Sequence, residues 1–331
     1  MSASTSPRLW QVLRLLGAPL GLGAVVWWVG PQALWAALRG ADGRWLAAGL
    51  LCALAGNVLA ALRWGELVRW LGQTVAPRWS LGVYFQAAAI SALLPGAVVG
   101  GDLFRVWQLQ RDGGSASVAG LSVVLDRLSG LWILLALAAL GLFGGVGAPE
   151  MDRLRDLLHV PAAWSTVWLA TCSLTAVLLL PLAVLRALAA LAGWGAGAGR
   201  RRATALALLQ RPGGLRQYLW QAAVSLLVHV CTVSAWICAA HAFGITLPVW
   251  LIAVTTAPIL LLASMPVSFG GWGTREAAAV AAWSVFGVAP ALAASAAATY
   301  GVYALLQAPL ALWPRQPRHR TPVGKAGSTP P

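Results

Sequence analysis

Charge is what this chain lacks, and the lack decides what it can fold into. Of 331 residues only 10% are Asp, Glu, Lys or Arg, while 59% are hydrophobic. A soluble domain carries about 25% charged residues. With so few, the chain cannot clothe a globular surface, and the expected fold is that of an integral membrane protein. Residues 15–38, 45–62, 128–149, 160–185 and 217–274 hold no charge. Each nears or exceeds the roughly 20 residues that cross a bilayer as a helix. Leu, Ala, Gly and Trp dominate these stretches and do not alternate with period two, which points to helices and away from an outer-membrane barrel.

The formal net charge of +14 is nearly all arginine, Lys325 being the only lysine. In a soluble protein such a balance would suggest nucleic acid. Here the arginines cluster at the ends of apolar spans, the pattern of basic cytoplasmic loops, so no nucleic-acid partner is expected. The nineteen tryptophans suit membrane interfaces. Cys52, Cys172, Cys231 and Cys238 all fall inside apolar spans with no Cys-x-x-Cys spacing, and are expected to be small buried hydrophobes without a metal. His229 and His241 suit helix–helix hydrogen bonding. The first apolar run is too long for a secretory core and reads as an uncleaved span.

Two apolar runs are interrupted in the same way. The first reads Leu94-Pro95-Gly96-Ala97-Val98-Val99-Gly100-Gly101-Asp102-Leu103-Phe104-Arg105; the second reads Met265-Pro266-Val267-Ser268-Phe269-Gly270-Gly271-Trp272-Gly273-Thr274-Arg275-Glu276. Each has Pro, a spacer, Gly-Gly, three residues and Arg. Paired interruptions of this kind point to a transporter's binding site. The 14 residues of 81–94 would rise about 21 Å as a helix, short of a core of about 30 Å. The expected fold is therefore an all-α polytopic bundle of about six full spans and two re-entrant hairpins. Residues 81–110 would enter from the cytoplasm and 248–288 from the other side, as an inverted repeat. Two short tilted spans at 248–288 would give the same sidedness. Residues 1–314 would form one transmembrane domain, and 315–331 a disordered, basic, Pro-rich cytoplasmic tail. Both termini would be cytoplasmic.

Pro95, Gly100 and Gly101 permit unusual backbone angles, and the freed N–H groups of a broken helix favour an anion. Arg105 could grip a phosphate there, with Asp102 holding it. A tight surface turn with Asp102 capping a helix and Arg105 snorkelling fits the same residues. Gly270, Gly271, Arg275 and Glu276 break an otherwise charge-free stretch between Arg216 and Arg315, so Arg275 and Glu276 are either a functional pair or a packing pair. Asp126 and Arg127 lie two turns into a long helix, as a site or as an interfacial helix end. Arg63-Trp64 reads as an interfacial anchor. No P-loop, dinucleotide fingerprint or catalytic constellation is present, so neither an enzyme nor a cofactor is expected.

Ala61-Leu62-Arg63-Trp64, Pro95 through Asp102 to Arg105, Leu125-Asp126-Arg127-Leu128-Ser129-Gly130, and Pro266 through Glu276 occur in that order. Together they resemble the lysylphosphatidylglycerol synthase transmembrane-domain family, also called flippase-like, over about residues 10–315. The resemblance implies a bacterial or archaeal inner-membrane protein. In two-domain members the similar domain moves aminoacylated lipid between leaflets, and a soluble domain makes that lipid. A chain ending at Pro331 is expected to be a stand-alone member. Ser91 stands where the family pattern has Asn, and the first spacer is one residue longer than usual.

The function expected is translocation of a phospholipid, aminoacyl-lipid or polyprenyl- or hopanoid-type lipid, with an anionic headgroup on Arg105 and Arg275. The alternative is a non-transporting accessory subunit partnered with a lipid or glycan biosynthetic enzyme.

Overall fold

The computed structural model describes residues 27, 31–93, 97–161, 164–191, 211–264 and 271–312. Pro95, Gly270, the expected first span, most of the basic loop 186–216 and the tail lie outside the described residues. The described chain is helical: α1 (Pro31–Arg39), α2 (Gly43–Trp70), α3 (Pro77–Leu93), α4 (Ala97–Arg111), α5 (Ala116–Gly144), α6 (Pro149–Leu157), α7 (Thr166–Leu191), α8 (Gly214–Ala242), α9 (Val249–Ala263), α10 (Thr274–Ser284) and α11 (Pro290–Leu306), then a 3-10 turn, Ala308–Leu312.

Helices α2, α5, α8 and Pro290–Leu312 are each long and apolar enough to cross a membrane. Of the other two expected spans, one corresponds to α7, whose described apolar part is Thr166–Leu180. Local chemistry sets the long helices' ends. Asp42 caps α2 by accepting the Arg44 N–H at 2.8 Å, and Ser115 caps α5 by accepting that of Val118. Two short helices occupy the connections between longer ones: Pro31 opens α1, and the mixed-sign segment after Pro149 winds into α6, with Glu150 and Asp152 at its positive N-terminal end and Arg155 in its last turn.

Antiparallel α2 and α8 form the central pair. The Asp42 N–H donates to the Ala242 carbonyl at one end, and the Trp70 indole to the Pro212 carbonyl at the other. Gly56 lets them close up, since a Cβ there would lie 3.3 Å from that of Cys231. Each interrupted stretch forms two short helices folded back on each other. Helices α3 and α4 touch where Gly101 meets Ala87 and Ser91; α9 and α10 are tied by Trp283 donating to Thr255 Oγ1 at 3.0 Å. The bases of the two hairpins lie at opposite ends of the bundle. Trp79 and Asp112 join the α3–α4 base near the α2 C-terminus and the α5 N-terminus. Residues 244–248 and 286–289 meet Pro149 and Glu150 at the far end.

The core has two parts. Trp64, Val68, Trp79, Val83 and Leu109 pack the α2–α4 side, and Trp236, Leu251, Ile252, Ile259 and Trp283 the α8–α11 side. Cys172, expected to be buried, is exposed, because α7 packs chiefly on α5 and leaves its other faces open. His229 does bridge helices, donating from Nε2 to the Gly130 carbonyl at 2.7 Å, while His241 lies against Trp45.

Candidate functional site

Two charged clusters sit inside this apolar bundle. The first is a run of alternating charges drawn from three helices. Arg63 on α2 donates to Asp126 Oδ1 on α5 at 2.8 Å, and Arg105 on α4 donates to Asp126 Oδ2 at 2.8 Å. Arg105 also reaches Asp102 Oδ1 at 2.6 Å, one turn back on its own helix. Arg127 closes the run on Asp102 at 2.9 Å. Exposure rises along it, from 3% for the Arg105 side chain to 52% for that of Arg127.

Neighbouring groups satisfy the inner members. Arg63 Nη1 donates to Ser225 Oγ at 2.7 Å, and Gln221 donates to the Arg63 carbonyl, so α8 grips the same residue. The Arg105 guanidinium lies 5.3 Å from the Trp64 ring centre and 5.4 Å from that of Tyr84, within cation–π range. A buried arginine needs carboxylate partners to offset desolvation, and Arg105 has two, Asp126 and Asp102.

The second cluster opens α10. Glu276 accepts the Gly273 N–H on Oε2 at 2.5 Å and Arg275 Nη2 on Oε1 at 2.6 Å, and both side chains are buried. Gly271 and Gly273 have φ of 80° and 84°, so this entry turn does use glycine's freedom. The Arg275 guanidinium lies over the Trp272 ring at 4.9 Å. Gly301 on α11 passes so close to Arg275 and Trp272 that a Cβ would overlap both.

A cavity of about 370 Å³ lies between the clusters. Gly101, Asp102, Arg105 and Arg127 line it from one side and Trp272 and Arg275 from the other, and the polar wall also includes Asn57, Tyr84, Ser91, His229, Thr232, Ser264, Tyr300, Tyr303 and Gln307. The two interrupted stretches therefore meet at one cavity. Asp126 and Glu276 stand behind it, holding arginines.

The glycine pair of the first stretch works differently from the expectation. Gly100 and Gly101 are helical residues of α4 without positive φ. A Cβ on Gly101 would come within 2.6 Å of the Ala87 carbonyl oxygen, so its use is close helix contact, not a loop cradling an anion. Nor is Asp126 at a helix end: it sits ten residues into α5, buried. Arg63 and Trp64, expected as surface anchors, are buried parts of the site. Their signal was an arginine closing an apolar run, which interfacial anchoring explains equally well. Asn57 and Gln307 gave no signal, being single amides in apolar helices joined only by the fold, Asn57 Nδ2 donating to Gln307 Oε1 at 2.7 Å.

A family model described as the lysylphosphatidylglycerol synthase TM region matches residues 11–310. No curated protein matches the chain.

Proposed function

The chain belongs to the lysylphosphatidylglycerol synthase TM region family, and on that premise we propose that it moves a lipid with an anionic headgroup between the leaflets of a bacterial inner membrane. Membership makes it a multi-pass membrane protein tied to lipid metabolism, and the family is the membrane part of those synthases, not the catalytic part. The observation that carries the proposal is the single cavity lined by Arg105 and Arg127 on one side and Arg275 on the other, inside an otherwise apolar bundle.

On this reading the two hairpins are re-entrant, the arginines hold the phosphate, and Asp102 and Glu276 orient them. The acyl chains stay outside, against apolar faces such as Leu51, Leu103 and Leu227. Charge at the two ends supports an orientation. Arg69, Arg78, Arg111, Arg211 and Arg216 face only Glu66 and Asp112 at the α3–α4 base, whereas Arg39, Arg44, Arg153 and Arg155 are matched by Asp42, Glu150, Asp152 and Asp156 at the other end. The first end is cytoplasmic by the positive-inside rule.

The test is headgroup accessibility in reconstituted vesicles. The parent should scramble or translocate labelled anionic lipid, and Arg105→Ala and Arg275→Ala should each slow it at least tenfold. Parental rates in both variants would remove these residues from the path. One observation favours the accessory-subunit reading: Arg105 and Arg275 are already paired within the protein. Stable co-purification with a biosynthetic enzyme, with no lipid movement, would favour that reading.

A further inference from the structure

Resting on that reading, we infer that the headgroup taken by the cavity is uncharged apart from its phosphate: a hydroxyl-bearing phosphate ester rather than an aminoacylated or amine-bearing one.

The argument begins with the carboxylates. The chain has nine Asp and Glu residues, all among those the structure describes. Only Asp102 lines the cavity. Its Oδ1 accepts from Arg105 and Arg127, and its Oδ2 from Arg127. Behind the wall, Asp126 has Oδ1 on Arg63 and Oδ2 on Arg105, and Glu276 has Oε1 on Arg275 and Oε2 on the Gly273 N–H. Each carboxylate oxygen near the cavity thus already receives a guanidinium or backbone donor. The wall itself carries three arginines and one carboxylate. An ammonium brought inside would meet like charge with no counter-ion to take it.

Aromatic rings are the other way to hold an ammonium, and they too are engaged. Arg275 covers Trp272, Arg105 covers Tyr84, and Tyr300 stacks on Trp236 at 5.3 Å. Tyr303 lies hard against Gly49. The rest of the polar wall holds no carboxylate: the amides of Asn57 and Gln307, the hydroxyls of Ser91, Thr232, Ser264 and Tyr303, and the His229 imidazole, whose Nε2 is taken by the Gly130 carbonyl. Such groups exchange hydrogen bonds with hydroxyls and offer a cation no charge.

The experiment measures binding to the purified full chain in detergent. The probes are phosphatidylglycerol, lysylphosphatidylglycerol and phosphatidylethanolamine with matched acyl chains, and glycerol phosphate as the chain-free control. Phosphatidylglycerol should bind at least tenfold more tightly than either amine-bearing lipid. Asn57→Asp, which adds a free carboxylate to the wall, should narrow that gap at least threefold while the protein elutes as the parent does. Equal or tighter binding of an amine-bearing lipid by the parent overturns the inference and leaves the translocase reading standing. Glycerol phosphate binding as tightly as the lipid upholds the headgroup chemistry and overturns the lipid reading. Absence of binding by every probe overturns both.

Discussion

At the scale of single residues, Asp126 does the most. It is the one carboxylate that holds two buried guanidiniums from two other helices, α2 and α4. Removing it leaves both charges without their main partner, and breaking a buried pair from one side costs about 3–5 kcal/mol. Asp126→Ala should therefore lower the thermal midpoint in detergent far more than Arg127→Ala, whose partner Asp102 keeps Arg105. Equal midpoints would mean that water reaches Asp126 freely. Part of this site was legible in the sequence. Asp102 and Arg105 are one helical turn apart, so their pairing follows from spacing alone. Arg63 was not legible as a site residue. Its partners stand 63 and 162 positions away, and no local pattern announces a bond made only when α2, α5 and α8 pack.

At the scale of elements, the two hairpins divide the labour. The α3–α4 pair is drawn together by Gly101, and the α9–α10 pair by the bond between Trp283 and Thr255. Their existence was legible, because apolar runs too short to span, broken by Pro and Gly, leave few alternatives. The short helices α1 and α6 were not. Proline marks a helix start as readily as a stop, and alternating charge suits a solvated helix as well as a loop. The opposed bases make an accessibility prediction. In a cysteine-free background, Gln110→Cys at the α4 end should react with an impermeant reagent only from the cytoplasmic side. Ser284→Cys at the α10 end should react only from the outside. Labelling of both from one side would mean that the two hairpin bases do not lie on opposite faces of the bilayer.

At the scale of the whole molecule, helices of 28 and 29 residues line one cavity together with residues of the two hairpins and α11. The positive charge of the wall belongs to Arg105, Arg127 and Arg275, fixed in the fold. On the proposed reading, no counter-ion travels with the lipid, so the phosphate crosses as a net charge and each passage is electrogenic. A membrane potential of 100 mV is worth about 2.3 kcal/mol per elementary charge, which by itself biases the two leaflets by roughly 50-fold. A potassium diffusion gradient set with valinomycin should therefore tilt the leaflet distribution of an anionic lipid in protein-containing vesicles, and reversing the gradient should reverse the tilt. A distribution indifferent to voltage would mean that a compensating ion accompanies the lipid. With the charge uncompensated, the inside-negative voltage of a respiring cell does the work, driving an anionic lipid outward with no nucleotide spent.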